Sequence, residues 1–208
     1  MPDIISETKR YNNPEDFSNA EIIALSGVLG IHNNLKDANL NLKIEIERKS
    51  DYIRLYITSV EIKELFVLIY PCNKVIHNES FIKQTTRTGL AFEWVSTQVS
   101  FATLFPFKKL KGSAHRNDGD KKTKWKGYFI WPKFGYVMEE EEENALKRQL
   151  NRDLRNEKNL QELFLTDDGI EYWIKTGDTW KCLFDLDQNS TSRNILKKYK
   201  PSGKKHLI

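Results

Sequence analysis

Residues 40–48 read Leu-Asn-Leu-Lys-Ile-Glu-Ile-Glu-Arg, an unbroken alternation of apolar and polar side chains. A helix would scatter these apolar groups around its circumference. A strand places Leu40, Leu42, Ile44 and Ile46 on one face and the charged residues on the other. Ser50-Asp51 supplies a turn, and Tyr52 to Ile62, rich in β-branched and aromatic residues, reads as the antiparallel partner. Leu65 to Tyr70 is a continuous apolar run, expected to be a central strand covered on both faces. Pro71-Cys72-Asn73 breaks it, and Lys74 to Ile82 reads as one more strand. No helical pattern intervenes, so this stretch predicts a meander of hairpins.

The period then changes. Leu90, Trp94, Val95, Val99, Phe101, Ala102 and Phe105 recur at helical spacing, which predicts a helix of about four turns from Gly89, ended by Pro106. Phe107 to Ala114 reads as a strand. Upstream, Asn13-Pro14-Glu15-Asp16 predicts a helix start, with Phe17 to Val28 at helical spacing and Gly30 as its end. Downstream, Lys126 to Tyr136 packs Tyr128, Phe129, Trp131 and Phe134 into a short aromatic turn stopped by Gly135 and followed by a strand over 136–138. Glu139 to Glu143 leads a helix with an apolar stripe at Leu146, Leu150 and Leu154. Leu160 to Gly177 reads as a shorter helical piece, Trp180 to Leu186 as a last strand, and Arg193 to Tyr199 as a final helix capped by Ser190 or Ser192. The fold class is therefore α/β in the α+β sense: a mixed, mostly antiparallel sheet flanked by helices, with a C-terminal helical extension. The expected organisation is a single domain over 1–208, comprising an N-terminal helix region (1–39), a core (40–138) and an extension with the last strand (139–208).

Composition narrows the function classes. A hydrophobic content of 39% with 12% aromatics supports a packed core and excludes a disordered chain. The 33 basic and 29 acidic residues nearly cancel, so net charge does not point to a nucleic-acid partner. Cys72 and Cys182 stand far apart and read as reduced thiols. The four histidines show no ligand spacing, so no metal is expected. With no basic-then-apolar start and no apolar run of membrane-spanning length, the expectation is a soluble cytoplasmic protein without membrane association.

The chemistry-bearing join is strand, polar turn, amphipathic helix. A glycine-containing turn entering a helix exposes backbone N–H groups at the positive end of the helix dipole, a setting suited to phosphate. Thr86-Arg87-Thr88-Gly89-Leu90-Ala91 occupies that place, and Arg87 with the Thr86 and Thr88 hydroxyls adds further donors.

These residues resemble the pyrophosphate loop of the GNAT N-acetyltransferase superfamily, Gln/Arg-x-x-Gly-x-Gly/Ala between the fourth strand and the long helix. The Gly and Ala match, whereas Thr86 stands where the family has Gln or Arg. Trp131-Pro132-Lys133-Phe134-Gly135-Tyr136 is similar to the family's later aromatic-x3-Gly-Phe signature, and the pattern resembles divergent bacterial GNAT-like proteins. The resemblance spans about residues 40–138. It implies an acetyl-CoA-dependent (or other acyl-CoA-dependent) N-acyltransferase acting on an amine of a small molecule or a protein. Thr86, Arg87, Thr88, Gly89, Leu90, Ala91 and Trp131 would contact the cofactor, and Glu79 would accept the proton of the amine. Trp131 replaces the tyrosine that protonates the departing thiolate in many members, which leaves Tyr128 for that task.

A second reading stays open. Residues 108–133 carry nine Lys or Arg interleaved with Tyr128, Phe129 and Trp131, a pattern that grips nucleic acid or an acidic protein, so the chain also fits a non-catalytic GNAT-like binding module. Cys72 with His77 or His115 lacks a third partner for nucleophilic catalysis. Asp185 and Asp187 share one strand face, where turn capping is the simpler role than Mg²⁺.

Overall fold

The computed structural model describes residues 11–33, 42–83, 89–117 and 125–199. Helices and antiparallel strands are mixed, the α+β class expected, and the described residues group into two compact units. One holds the residues up to Lys108 with 197–199, the other Lys109–Leu196.

The first unit opens with a 3₁₀ turn, Pro14–Asp16, then α1 (Asn19–Leu25) and α2 (Val28–Asn33). The sequence predicts one helix here, and two local features divide it. Ser18 starts α1 with a capping box, its Oγ accepting from Glu21 N at 3.3 Å while Glu21 Oε2 accepts from Ser18 N at 2.6 Å. Gly27 then breaks the path at φ +76, where a Cβ would lie 2.6 Å from the Trp94 carbonyl oxygen. Gly30, expected as the stop, lies inside α2, pressed so close to Thr97 that a side chain would not fit.

Strands β1 (Lys43–Arg48), β2 (Ile53–Thr58), β3 (Ile62–Tyr70) and β4 (Val75–Lys83) form the expected antiparallel meander. The stretch 52–62 is not one strand. The Ser59 hydroxyl accepts from Glu61 N and Ile62 N, making a turn where residue preference alone favours extension. The apolar run in β3 is also covered unevenly. Leu65, Val67 and Ile69 are fully buried with Ile53, Leu55 and Ile57, whereas Phe66, Leu68 and Tyr70 on the other face are half-buried. Helix α3 (Leu90–Ala102) follows. Its Trp94 is fully buried, stacks on Phe81 of β4 at 4.6 Å and donates from Nε1 to the Ser26 carbonyl at 2.6 Å.

The second unit contains β5 (Lys109–Ala114), the short pair β6 (Arg116–Asn117) and β7 (Trp125–Lys126), α4 (Gly127–Ile130), a 3₁₀ turn at Trp131–Phe134 and β8 (Val137–Met138). Helices α5 (Glu140–Arg152), α6 (Leu160–Leu163) and α7 (Asp167–Thr176) come next. Strand β9 (Trp180–Asp185) pairs antiparallel with both β5 and β8, and α8 (Thr191–Lys198) follows, its last two residues grouped with the first unit. The sequence did not anticipate β6 and β7. Leu154 does not join the apolar stripe of α5, because the helix stops at Arg152 and Leu154 turns outward at φ +53. The piece over 160–177 is two helices. Thr166 Oγ1 accepts from Gly169 N to start α7, and Gly169 is pressed against the Leu163 carbonyl, an approach closed to any side chain.

Candidate functional site

Strands β3 and β4 fall out of register at two points, between Ile62 and Glu64 and, further along, between Phe66 and Val67. Phe66 is opposite Ser80 and Val67 is opposite Asn78, which leaves Glu79 without a partner as the extra residue of a β-bulge. Its neighbours hold it there. Asn78 points to the helix-covered face, where its side-chain amide exchanges two hydrogen bonds with Gln98 of α3 at 2.8 and 2.9 Å, both groups buried. Ser80 lies on the opposite face and donates its hydroxyl to Glu64. Adjacent ladder positions fastened to opposite faces force the residue between them out of the pleat.

Glu79 Oε1 lies 3.2 Å from His77 Nδ1, each side chain about a third exposed (36% and 34%). A carboxylate oxygen and an imidazole nitrogen at this separation are within hydrogen-bond reach. Tyr70 lies on the same face as His77, and its ring is 5.5 Å from that of Tyr52. Burial first, and then the negative charge of Glu79, pushes the Tyr70 phenol above its ordinary value.

At the start of α3, Gly89 adopts φ +90 and precedes the first helical residue. It is exposed, and among the described residues a Cβ built on it would meet only Glu93 Oε1, at 3.8 Å. Having no side chain, Gly89 leaves the first turn without a side-chain cap of its own. Leu90 is buried in the core, so its side chain faces away from solvent and only its backbone remains for a ligand. Ala91 is half-buried. Thr86, Arg87 and Thr88 lie outside the described residues.

Tyr128 and Trp131 belong to the second unit. The Tyr128 carbonyl accepts from Trp173 Nε1 at 3.0 Å and Trp180 Nε1 at 3.2 Å, and its N–H donates to the His115 carbonyl at 3.3 Å. The Arg116 guanidinium lies over its ring at 5.1 Å. Two indole donors on one carbonyl make Tyr128 the anchor of α4, a role residue type alone did not reveal. Trp131 packs its ring 5.1 Å from Tyr136 and 6.0 Å from Phe134.

Several cations of the basic stretch are engaged within this unit. Lys111 pairs with Glu139 at 2.7 Å, and Lys133 sits over the Phe129 ring at 4.0 Å, where burial lowers its ammonium below its ordinary value. Asp185 and Asp187 each accept a backbone N–H two residues on, at 2.9 Å, as turn caps. No cluster of three metal-ligating side chains occurs among the described residues, and no helix there is long and apolar enough to cross a membrane. No family model, curated protein or solved structure matches the chain.

Proposed function

We propose that the chain is an N-acyltransferase using acetyl-CoA or another acyl-CoA, with its acid–base group on β4. The observation that carries this reading is the bulge that isolates Glu79 beside His77. A residue expelled from the ladder has a side chain aimed by the bulge rather than by the pleat, a recurrent arrangement beside active sites. In this reading Glu79, hydrogen-bonded to His77, takes the proton of the acceptor amine as nitrogen attacks the acyl carbonyl. The new C–N bond replaces the thioester C–S bond. Backbone N–H groups beside the bulge meet the oxygen on which charge develops.

The acyl-CoA thioester supplies the activated carbonyl. Its diphosphate fits the α3 start, because Gly89 leaves open space there and the helix dipole favours an anion. Glu93 in the same first turn opposes that anion, so its neutralisation should tighten binding. The observations offered for this reading come from the first unit.

Titration calorimetry with acetyl-CoA tests it. The wild type is expected to bind with micromolar affinity, Gly89→Glu to lose at least about tenfold, and Gly89→Ala to fall between, since strain is then added without charge. Glu93→Gln should bind more tightly than wild type. Absence of binding at millimolar ligand would remove the acyltransferase reading.

A further inference from the structure

We infer that the outer edge of β1 is a self-association surface, where a second copy of the chain adds its own β1 antiparallel across a twofold axis at Ile44. Strand β1 stands at the end of its sheet, and among the described residues only β2 pairs with it. Lys49 N donates to the Tyr52 carbonyl at 2.9 Å, and the ladder keeps one register from there to Lys43 opposite Thr58. Antiparallel bonding alternates along a strand, so Lys43, Glu45 and Glu47 turn their N–H and C=O groups toward β2. Those of Ile44 and Ile46 point outward, with Leu42 in phase just before the strand, and no hydrogen bond among the described residues takes them up. Such an edge is ordinarily blunted by proline, by a bulge or by a lysine that repels a copy. Residues 42–48 contain no proline, and the β1–β2 ladder has no bulge.

The charges on this edge attract a copy instead of repelling it. Lys43 and Glu45 are exposed on one face, and neither forms an ion pair among the described residues, whereas Glu47 is held by Lys49 at 2.5 Å and Arg54 at 3.7 Å. With the axis at Ile44, Lys43 of each copy stands opposite Glu45 of the other, a pairing that the twofold makes twice. On the opposite face Leu42, Ile44 and Ile46, each half-buried, meet Ile46, Ile44 and Leu42 of the copy and lose water together. The same register makes these apolar positions the hydrogen-bonded pairs, which their outward N–H and C=O groups require. Moving the axis to Lys43 or to Glu45 sets that residue opposite its own copy, Lys on Lys or Glu on Glu. Moving it to Ile46 sets Glu45 opposite Glu47. A pairing offset by half a step would bring apolar residues opposite charged ones. Within β1, the axis at Ile44 brings no like charges together, so the edge is self-complementary and its occupant is a second copy. The inference is independent of the acyl-transfer reading, none of whose residues lies on β1.

Sedimentation equilibrium of the full chain, up to millimolar protein, tests this. The wild type is expected to rise from the mass of one chain to that of two and to stop there, because the pairing uses up the edge of both copies. Ile44→Pro removes an outward N–H that β2 does not use and should raise the dimer Kd at least about tenfold. Lys43→Glu and Glu45→Lys each set like charges opposite one another twice, and each should raise it about tenfold. The double variant Lys43→Glu/Glu45→Lys restores both pairs and should dimerise as the wild type does. An equimolar mixture of the two single variants should do the same, since each supplies the charge that the other lacks. These charge variants keep the test available if the proline variant fails to fold. A wild type that stays monomeric throughout, or that assembles beyond two chains, overturns the inference. So does a proline variant that dimerises as the wild type does, or a double variant no tighter than the single ones.

Discussion

Asn78 and Gln98 face each other in the core of the first unit and exchange both possible amide hydrogen bonds, Nδ2 to Oε1 at 2.8 Å and Nε2 to Oδ1 at 2.9 Å. Gln98 is fully buried and Asn78 nearly so, so neither finds a substitute in solvent. This contact fastens β4 to α3 directly beside the bulged Glu79.

Removing either partner should therefore cost more than an average polar deletion. Asn78→Ala is expected to destabilise by about 2–4 kcal/mol, because Gln98 is left buried and unsatisfied. The double variant Asn78→Val/Gln98→Leu should lose less than the sum of its two single changes. Denaturant unfolding of the four proteins measures the coupling, and strict additivity would show that the two amides act independently.

Two glycines at nearly the same positive φ should answer alanine differently. Gly89 (φ +90) has open space, so Gly89→Ala should cost only the left-handed strain, about 1–2 kcal/mol. Gly135 (φ +92) abuts the Ser192 carbonyl, so Gly135→Ala adds a steric clash and should cost about 3 kcal/mol or more. Equal losses in chemical denaturation would contradict this ordering.

Acid sensitivity should have a defined contributor in the second unit. Hydrogen bonds from Arg155, Nε to Glu157 Oε2 at 3.0 Å and Nη2 to Oε1 at 2.5 Å, hold the Glu157 carboxyl below its ordinary range. A carboxyl with a lowered folded-state value contributes stability above its unfolded value and loses it as pH falls through the folded one. Glu157→Gln should thus be less stable than wild type at about pH 7, and the gap should close as pH falls through the lowered folded-state value. A gap constant with pH would remove the ion pair as its cause.

The two thiols should separate cleanly by reactivity. Cys72 is exposed, whereas Cys182 is buried in β9, and that burial pushes its thiol far above the ordinary range. A disulfide reagent such as dithionitrobenzoate should titrate one thiol per native chain promptly and the second only in denaturant. Prompt reaction of both would show that β9 opens readily.

Much of the first unit was legible from residue types. The alternation before Arg48 and the apolar run before Tyr70 each specify a strand, since a period of two fixes which side chains share a face. The helical spacing after Gly89 specifies α3 for the same kind of reason. Ser59 was not legible as a turn, because its two backbone bonds outweigh the extended preference of its neighbours by geometry that residue type does not announce. Gly27 and Gly30 illustrate the same limit: either can end a helix, yet only Gly27 takes a positive φ, +76, while Gly30 stays within α2.

Glu79 draws the division most sharply. Its carboxyl on β4 could be named from the sequence, but strict alternation from Val75 to Lys83 would have set Asn78 and Ser80 on one face. The amide of Gln98 holds Asn78 to the helix side and Glu64 holds the Ser80 hydroxyl to the other, so the bulge exists only once these partners have assembled. Arg193 is the converse case, an ordinary cation in the sequence whose Nη1 is covered without a hydrogen-bond partner once the chain has packed. Periodicity is a property of neighbours along the chain and can be read from it. Register shifts and buried, unmatched donors arise from which distant residues meet, and only the tertiary structure decides them.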